Sequence, residues 1–149
     1  TIGGFSERVG GLLRASDLAA YRTRLETPVS VAFAGRDILG QGPWTQAPVL
    51  MQALAMLAGF DLRAMGHNAS RYIHVVTEVL KLAFADRERH YGDAPVPLAD
   101  LLAPAYARER AALIRMDRAM PEAPAPGDAL IDLTPTGTSR FYRIGVRIL

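Results

Sequence analysis

The chain has 149 residues, half of them hydrophobic: enough for one domain or part of a larger one, and too many for a disordered segment. Its formal net charge is +2, Lys81 is the sole lysine, and it holds no cysteine, which excludes disulfides, thiolate metal sites and cysteine catalysis. No apolar run approaches the ~18 residues of a membrane helix, and no basic stretch leads into an apolar one near Thr1, so neither a membrane span nor a signal peptide is expected.

Gly10-Gly11 closes a first segment, and Ser16 reads as an N-cap with Asp17 in the first helical turn. A short helix through Leu18, Ala19, Ala20 and Tyr21 should stop before Thr27-Pro28, because the residue ahead of proline avoids the α region. Val29, Val31 and Phe33 then alternate with Ser30, Ala32 and Ala34. With Gly35-Arg36 as a turn and Asp37 to Gly40 as a second strand, they predict a β-hairpin.

The turn Gly42-Pro43-Trp44-Thr45-Gln46 leads to a helix over 48–58, opened by Pro48 and stopped by Gly59, with Leu50, Leu54 and Leu57 as its buried stripe and Met51 and Ala58 beside it. A second, longer helix over 70–90 is expected to bury Ile73, Val76, Leu80 and Phe84, flanked by Val75, Val79, Leu82 and Ala83. Its other face carries His74, Glu78, Lys81 and Glu88. After Gly92-Asp93-Ala94-Pro95 come a turn at Leu98 to Leu102 and a helix from Pro104 through Tyr106, Arg110, Leu113 and Ile114. Residues 1–120 therefore form one unit. Residues 121–137, with Pro121, Pro124, Pro126, Gly127 and Pro135, read as an exposed linker, and 138–149 as a strand-like tail. The fold class is α+β, mainly helical with a β-hairpin.

Residue by residue, the sites are weak. His67 and His74 are seven apart with no third ligand at metal spacing, so no metal and no cofactor is expected. Glu78 and Lys81 read as an ordinary i,i+3 pair, and Asp86, Arg87, Glu88 and Arg89 as a solvated, self-paired helix end. Asn68-Ala69-Ser70 matches a glycosylation sequon but is explained as well by N-capping of the long helix. Trp44 reads as a packing anchor before it reads as the wall of a ligand cleft.

The order of the pieces is more specific. Gly10-Gly11-Leu12-Leu13, Ser16-Asp17-Leu18-Ala19-Ala20-Tyr21, Pro28, the Gly35 hairpin and Gly42-Pro43-Trp44-Thr45-Gln46 come first. Gly59-Phe60-Asp61-Leu62, Gly66-His67-Asn68, Lys81-Leu82-Ala83-Phe84-Ala85-Asp86-Arg87 and Tyr91-Gly92-Asp93 follow. This succession, over roughly residues 10 to 118, resembles the C-terminal part of the large subunit of the γ-glutamyltransferases (γ-glutamyltranspeptidases).

The resemblance implies a fragment of an αββα N-terminal-nucleophile hydrolase, made as a precursor that cuts itself before a threonine. That threonine's hydroxyl would attack the γ-glutamyl carbonyl of glutathione or a related amide, its own α-amino group serving as base. Where the family reads Asp-Thr-Thr, this chain reads Gly137-Thr138-Ser139, so Thr138 is the position aligned with the nucleophile. No position matches the family's substrate-carboxylate arginine or oxyanion groups, and after Gly92-Asp93 the usual loop is shortened to Ala94-Pro95-Val96-Pro97. As an isolated chain it is therefore expected to be inactive. Its partners would be γ-glutamyl small molecules in the intact protein, and either the remaining subunit or a second copy through exposed apolar helix faces. The compartment, cytoplasmic or periplasmic, stays open. Two other classes remain: a non-catalytic packing or assembly module, and a small basic nucleic-acid binder using Arg140, Arg143 and Arg147 with Phe141 and Tyr142. The absence of a basic stripe ahead of the tail speaks against the latter.

Overall fold

A computed structural model of the chain describes residues 1–92 and 95–129. In order, its elements are α1 (Ile2–Arg8), α2 (Ala15–Ala20), β1 (Val29–Phe33), β2 (Arg36–Gly40), α3 (Ala47–Leu57), α4 (Leu62–Met65), α5 (Ser70–His90), α6 (Leu98–Leu101) and α7 (Pro104–Ala111). The described part is mainly helical, with one two-stranded antiparallel sheet.

The hairpin forms where the alternation places it. Val29 pairs with Gly40 and Phe33 with Arg36, leaving Ala34-Gly35 as a two-residue turn. Both turn residues have positive φ, 50° at Ala34 and 74° at Gly35. Paired left-handed residues match the right-handed twist of the strands, and glycine adopts this conformation freely. Val29, Val31 and Phe33 are the half-buried side of β1, and the hairpin rests on α3.

Helix α2 starts two residues earlier than an N-cap at Ser16 suggests. Arg14 is its N-cap, and the Asp17 carboxylate accepts the Arg14 amide at 2.8 Å. In α3 the expected stripe is the wrong one: Leu50 is exposed and Leu54 and Leu57 only half-buried, while Pro48, Val49, Met51, Gln52, Ala53 and Met56 are buried. Helix α5 repeats this rotation. Ile73, Leu80 and Phe84 face outward, while Val75, Glu78, Val79, Leu82, Ala83 and Asp86 are buried. At its start Ala69, not Asn68 or Ser70, is the N-cap and receives no side-chain bond; Asn68 instead takes a left-handed turn conformation (φ 58°), which asparagine tolerates.

Helices α3, α5 and α7 enclose the core, where Val49, Ala53 and Met56 meet Val75, Val79, Leu82 and Ala83, with Ala107 of α7 closing the third side. The small side chains Ala53, Ala83 and Ala107 let the helices approach, and each large apolar residue buried there contributes about 1.5–3 kcal/mol. The same packing brings Gln52 of α3 and Tyr106 and Arg110 of α7 against the inward face of α5.

Candidate functional site

Asp86 is the centre of that arrangement. It sits near the C-terminal end of α5 with no solvent exposure. Its Oδ1 accepts from the Gly127 amide at 2.7 Å and pairs with Arg110 Nη2 at 3.0 Å. Its Oδ2 accepts from the Tyr106 hydroxyl at 2.9 Å and from Gln52 Nε2. An ionised carboxylate offers about four lone-pair positions, and here all four are taken. The network extends outward: Tyr91 donates to Gln52 Oε1 at 3.0 Å, and Arg110 Nη2 also donates to the Ala125 carbonyl at 2.9 Å. Among the described residues only Arg110 Nε is a buried side-chain polar atom without a partner. The solvated helix end expected for Asp86 is therefore corrected. Its partners come from α3, α7 and the chain beyond 120, all distant in sequence.

A second cluster lies along the same helix. Glu78 is buried, its Oε1 taken by Lys81 Nζ at 2.7 Å and its Oε2 by the Met120 amide at 2.8 Å, while Lys81 also donates to the Met120 carbonyl at 3.1 Å. His74 Nε2 lies 2.8 Å from the Arg115 carbonyl oxygen and His90 Nε2 2.9 Å from that of Gly127. The Glu78–Lys81 pair is thus no ordinary surface pair: it holds backbone 42 residues downstream. Together these side chains grip main-chain atoms of Arg115, Met120, Ala125 and Gly127. The segment 115–127 is strapped across α5 and α7.

Electrostatics follow the burial. Desolvation alone would raise the Glu78 carboxyl, but its hydrogen bonds to Lys81 and the Met120 amide outweigh burial and hold its pKa below the ordinary 4.5. Burial pushes the Tyr91 hydroxyl well above its ordinary pKa, with the Asp86 charge adding to the shift. At Tyr106 burial comes first and the hydrogen bond to Asp86 second. Both tyrosines are held as neutral donors.

Thr138 and the tail arginines Arg140, Arg143 and Arg147 lie outside the described residues. His67 is exposed and lies beside Tyr72, with ring centroids 5.8 Å apart, and His74 is engaged with the strap. Among the described residues no three His, Asp or Glu side chains converge as metal ligands. Trp44 is not the packing anchor expected: it is exposed and donates to Glu26 Oε2 at 2.8 Å, at the edge of a hollow of about 1090 Å³ that Tyr21, Arg22 and Arg24 also line. An apolar groove of about 710 Å³ runs between Leu80 and Phe84 of α5 and Pro124 and Pro126 of the strap. Neither concavity brings a hydroxyl nucleophile to a base. The chemistry this arrangement performs is attachment: fixed donors and acceptors that position a backbone.

Sequence reasoning missed the Asp86 network as a site, although the Lys81–Arg87 run containing Asp86 is the most specific mark of the resemblance. A family model described as gamma-glutamyltranspeptidase matches residues 2–143. The acylase ACY 1 proenzyme of a Pseudomonas species is 40% identical over 114 residues, covering 74% of this chain and 20% of that protein. The glutathione hydrolase proenzyme of Pseudomonas aeruginosa is 35% identical over 141 residues (88% and 24%), and that of Escherichia coli 31% over 119 (77% and 20%). Among solved structures, the gamma-glutamyltranspeptidase of Helicobacter pylori superposes with a TM-score of 0.80 at 29% identity, covering 93% of this chain and 40% of that one. The chain thus spans about a fifth of the length of the curated relatives it matches.

Proposed function

The chain belongs to the gamma-glutamyltranspeptidase family, and from that premise we propose that it is the part of an N-terminal-nucleophile hydrolase that builds a helical layer of the αββα sandwich and leads the backbone toward the processing threonine. The observation that carries this reading is the family match itself, which runs through the strap and past Thr138. The complete polypeptide would transfer or hydrolyse γ-glutamyl groups of glutathione-like amides. Thr138, freed by cleavage after Gly137, would attack through its hydroxyl with its α-amino group (ordinary pKa about 7.7–8.0) as base. The outward residues Ile73, Leu80 and Phe84 offer the remainder of such a fold a surface to pack on.

By itself the chain should carry no γ-glutamyl transfer and should not cut itself, because among the described residues nothing supplies an oxyanion hole or a substrate-carboxylate clamp. Intact mass of the purified chain tests this. A single species at 16.1 kDa is expected, whereas cleavage between Gly137 and Thr138 that Thr138→Ala abolishes would overturn it.

A second reading concerns the acyl group. Identity to the acylase proenzyme, 40%, exceeds the 31–35% to the two glutathione hydrolases. That difference favours an acylase that need not act on γ-glutamyl amides. Comparing a γ-glutamyl anilide with simple acyl anilides on a polypeptide that carries the downstream region separates the two readings.

A further inference from the structure

The grip on residues 115–127 is made almost wholly to main-chain atoms. The Arg115, Met120, Ala125 and Gly127 carbonyls and the Met120 and Gly127 amides are the atoms held. Such a grip fixes a path while leaving the side chains of the strap free to vary. It depends on the side chain at Met120, which packs against the core, and most sharply at Gly127. A Cβ built on Gly127 would lie 2.8 Å from Tyr106 Cζ and 3.0 Å from Arg110 Cδ, nearer still to the Tyr106 hydroxyl. Real Cβ atoms do not approach this closely, so any residue larger than glycine has to pull the strap off the carboxylate or displace Tyr106.

We infer that Gly127 is the latch of a backbone strap, with Asp86, Arg110 and Glu78 as the positioning residues that receive it, and that this latch sets the origin from which the chain is delivered to the processing position. The second half of the inference rests on the Thr138 reading above; the first half stands on the contacts alone. Without the strap, the last packed point before Thr138 is Ile114 beside the core, 24 residues away (138 − 114). With the latch closed, the origin moves to Gly127, eleven residues away (138 − 127). At roughly 3.3–3.6 Å per residue, the greatest reach falls from about 79–86 Å to about 36–40 Å. For a freely jointed chain of these two lengths, closure of the shorter is favoured about threefold, from the three-halves power of the length ratio. The latch therefore acts as a positioning device for a reaction whose groups lie elsewhere.

The test leaves the helices alone and changes the strap. In Gly127→Ala, backbone hydrogen exchange is followed across the whole chain. The inference expects amides of 121–129 to exchange at least about tenfold faster, the amide bond to a buried carboxylate being lost, while α3 and the middle of α5 keep their protection. Glu78→Gln, at the other end of the strap, should raise exchange at Met120 and spare Gly127. Uniform loss of protection in both variants, as a merely structural role would give, overturns the inference, and so does unchanged exchange at 121–129 in Gly127→Ala. The delivery half is read separately. In a polypeptide that processes before Thr138, Gly127→Ala leaves Met120 held, 18 residues from Thr138 (138 − 120), and should slow processing about twofold without abolishing it. An unchanged rate refutes delivery by the latch, whereas processing that survives Thr138→Ala refutes the nucleophile assignment instead.

Discussion

Replacing Asp86 by alanine would remove four acceptor contacts at once. Arg110, only 5% exposed, would keep its charge without a counter-ion and already has one buried nitrogen unpartnered. Gln52, Tyr106 and the Gly127 amide would each lose an acceptor. Breaking a buried ion pair by removing one partner costs about 3–5 kcal/mol, and each buried donor left unsatisfied adds about 1–3 kcal/mol before relaxation and water entry. Against a total stability of about 5–15 kcal/mol for a domain, Asp86→Ala should lower the urea midpoint by half or more. Had Asp86 been the solvated helix end that its charged neighbours suggest, the change would be within ±0.5 kcal/mol. Urea unfolding followed by far-ultraviolet circular dichroism discriminates the two directly. A cost below about 1 kcal/mol would refute the buried network as an anchor. Pairing the variant with Arg110→Met should recover part of the loss, because removing both charges abolishes the uncompensated one.

Leu82→Ala, in the core, should cost about 2–5 kcal/mol in the same unfolding assay, whereas Leu50→Ser on the exposed face of α3 should stay within ±0.5 kcal/mol. Because the folded Glu78 carboxyl sits below its ordinary 4.5, its contribution is fully present above that pH and is lost as pH falls through the folded value; Glu78→Gln should flatten the stability curve there. Tyr91 and Tyr106 are shifted upward, so their contribution is present below pH 10.0 and lost above it, where the unfolded tyrosines ionise first. Tyr106→Phe should reduce that alkaline loss, at a cost of about 1–2 kcal/mol at neutral pH, measured by urea unfolding from pH 7 upward. Ala34→Asn, placing a residue that tolerates positive φ in the hairpin turn, should raise stability by about 0.5–1 kcal/mol; a loss would contradict the turn geometry.

What the sequence shows of this fold is its local part. Strict alternation from Val29 to Phe33 and a glycine at the turn identify the hairpin because both signals lie within ten residues. The long helix is equally legible, since 21 residues of helical periodicity need no partner to be recognised. Its orientation is not. Ile73, Leu80 and Phe84 are as periodic as Val75, Val79 and Leu82, and the buried face is diluted by Glu78 and Asp86, two residues normally assigned to solvent. Which stripe turns inward is decided by α3 and α7, whose buried faces carry Val49, Met51, Gln52, Ala53 and Met56, and Tyr106, Ala107 and Arg110, rather than leucines. The Asp86 network was invisible for the same reason. Its donors stand 20, 24 (110 − 86), 34 and 41 residues away in sequence, and no local pattern ties them together. The resemblance places Asp86 within its most specific run but assigns it no role.

The most direct measurement is hydrolysis of a γ-glutamyl anilide by the purified chain beside its Thr138→Ala variant, at neutral pH, with and without an acceptor amino acid. If the chain is a structural segment whose catalytic groups lie elsewhere in the family's fold, both proteins release anilide at the buffer rate. Release above that rate, lost on Thr138→Ala, would contradict it and place the nucleophile and its base within these 149 residues.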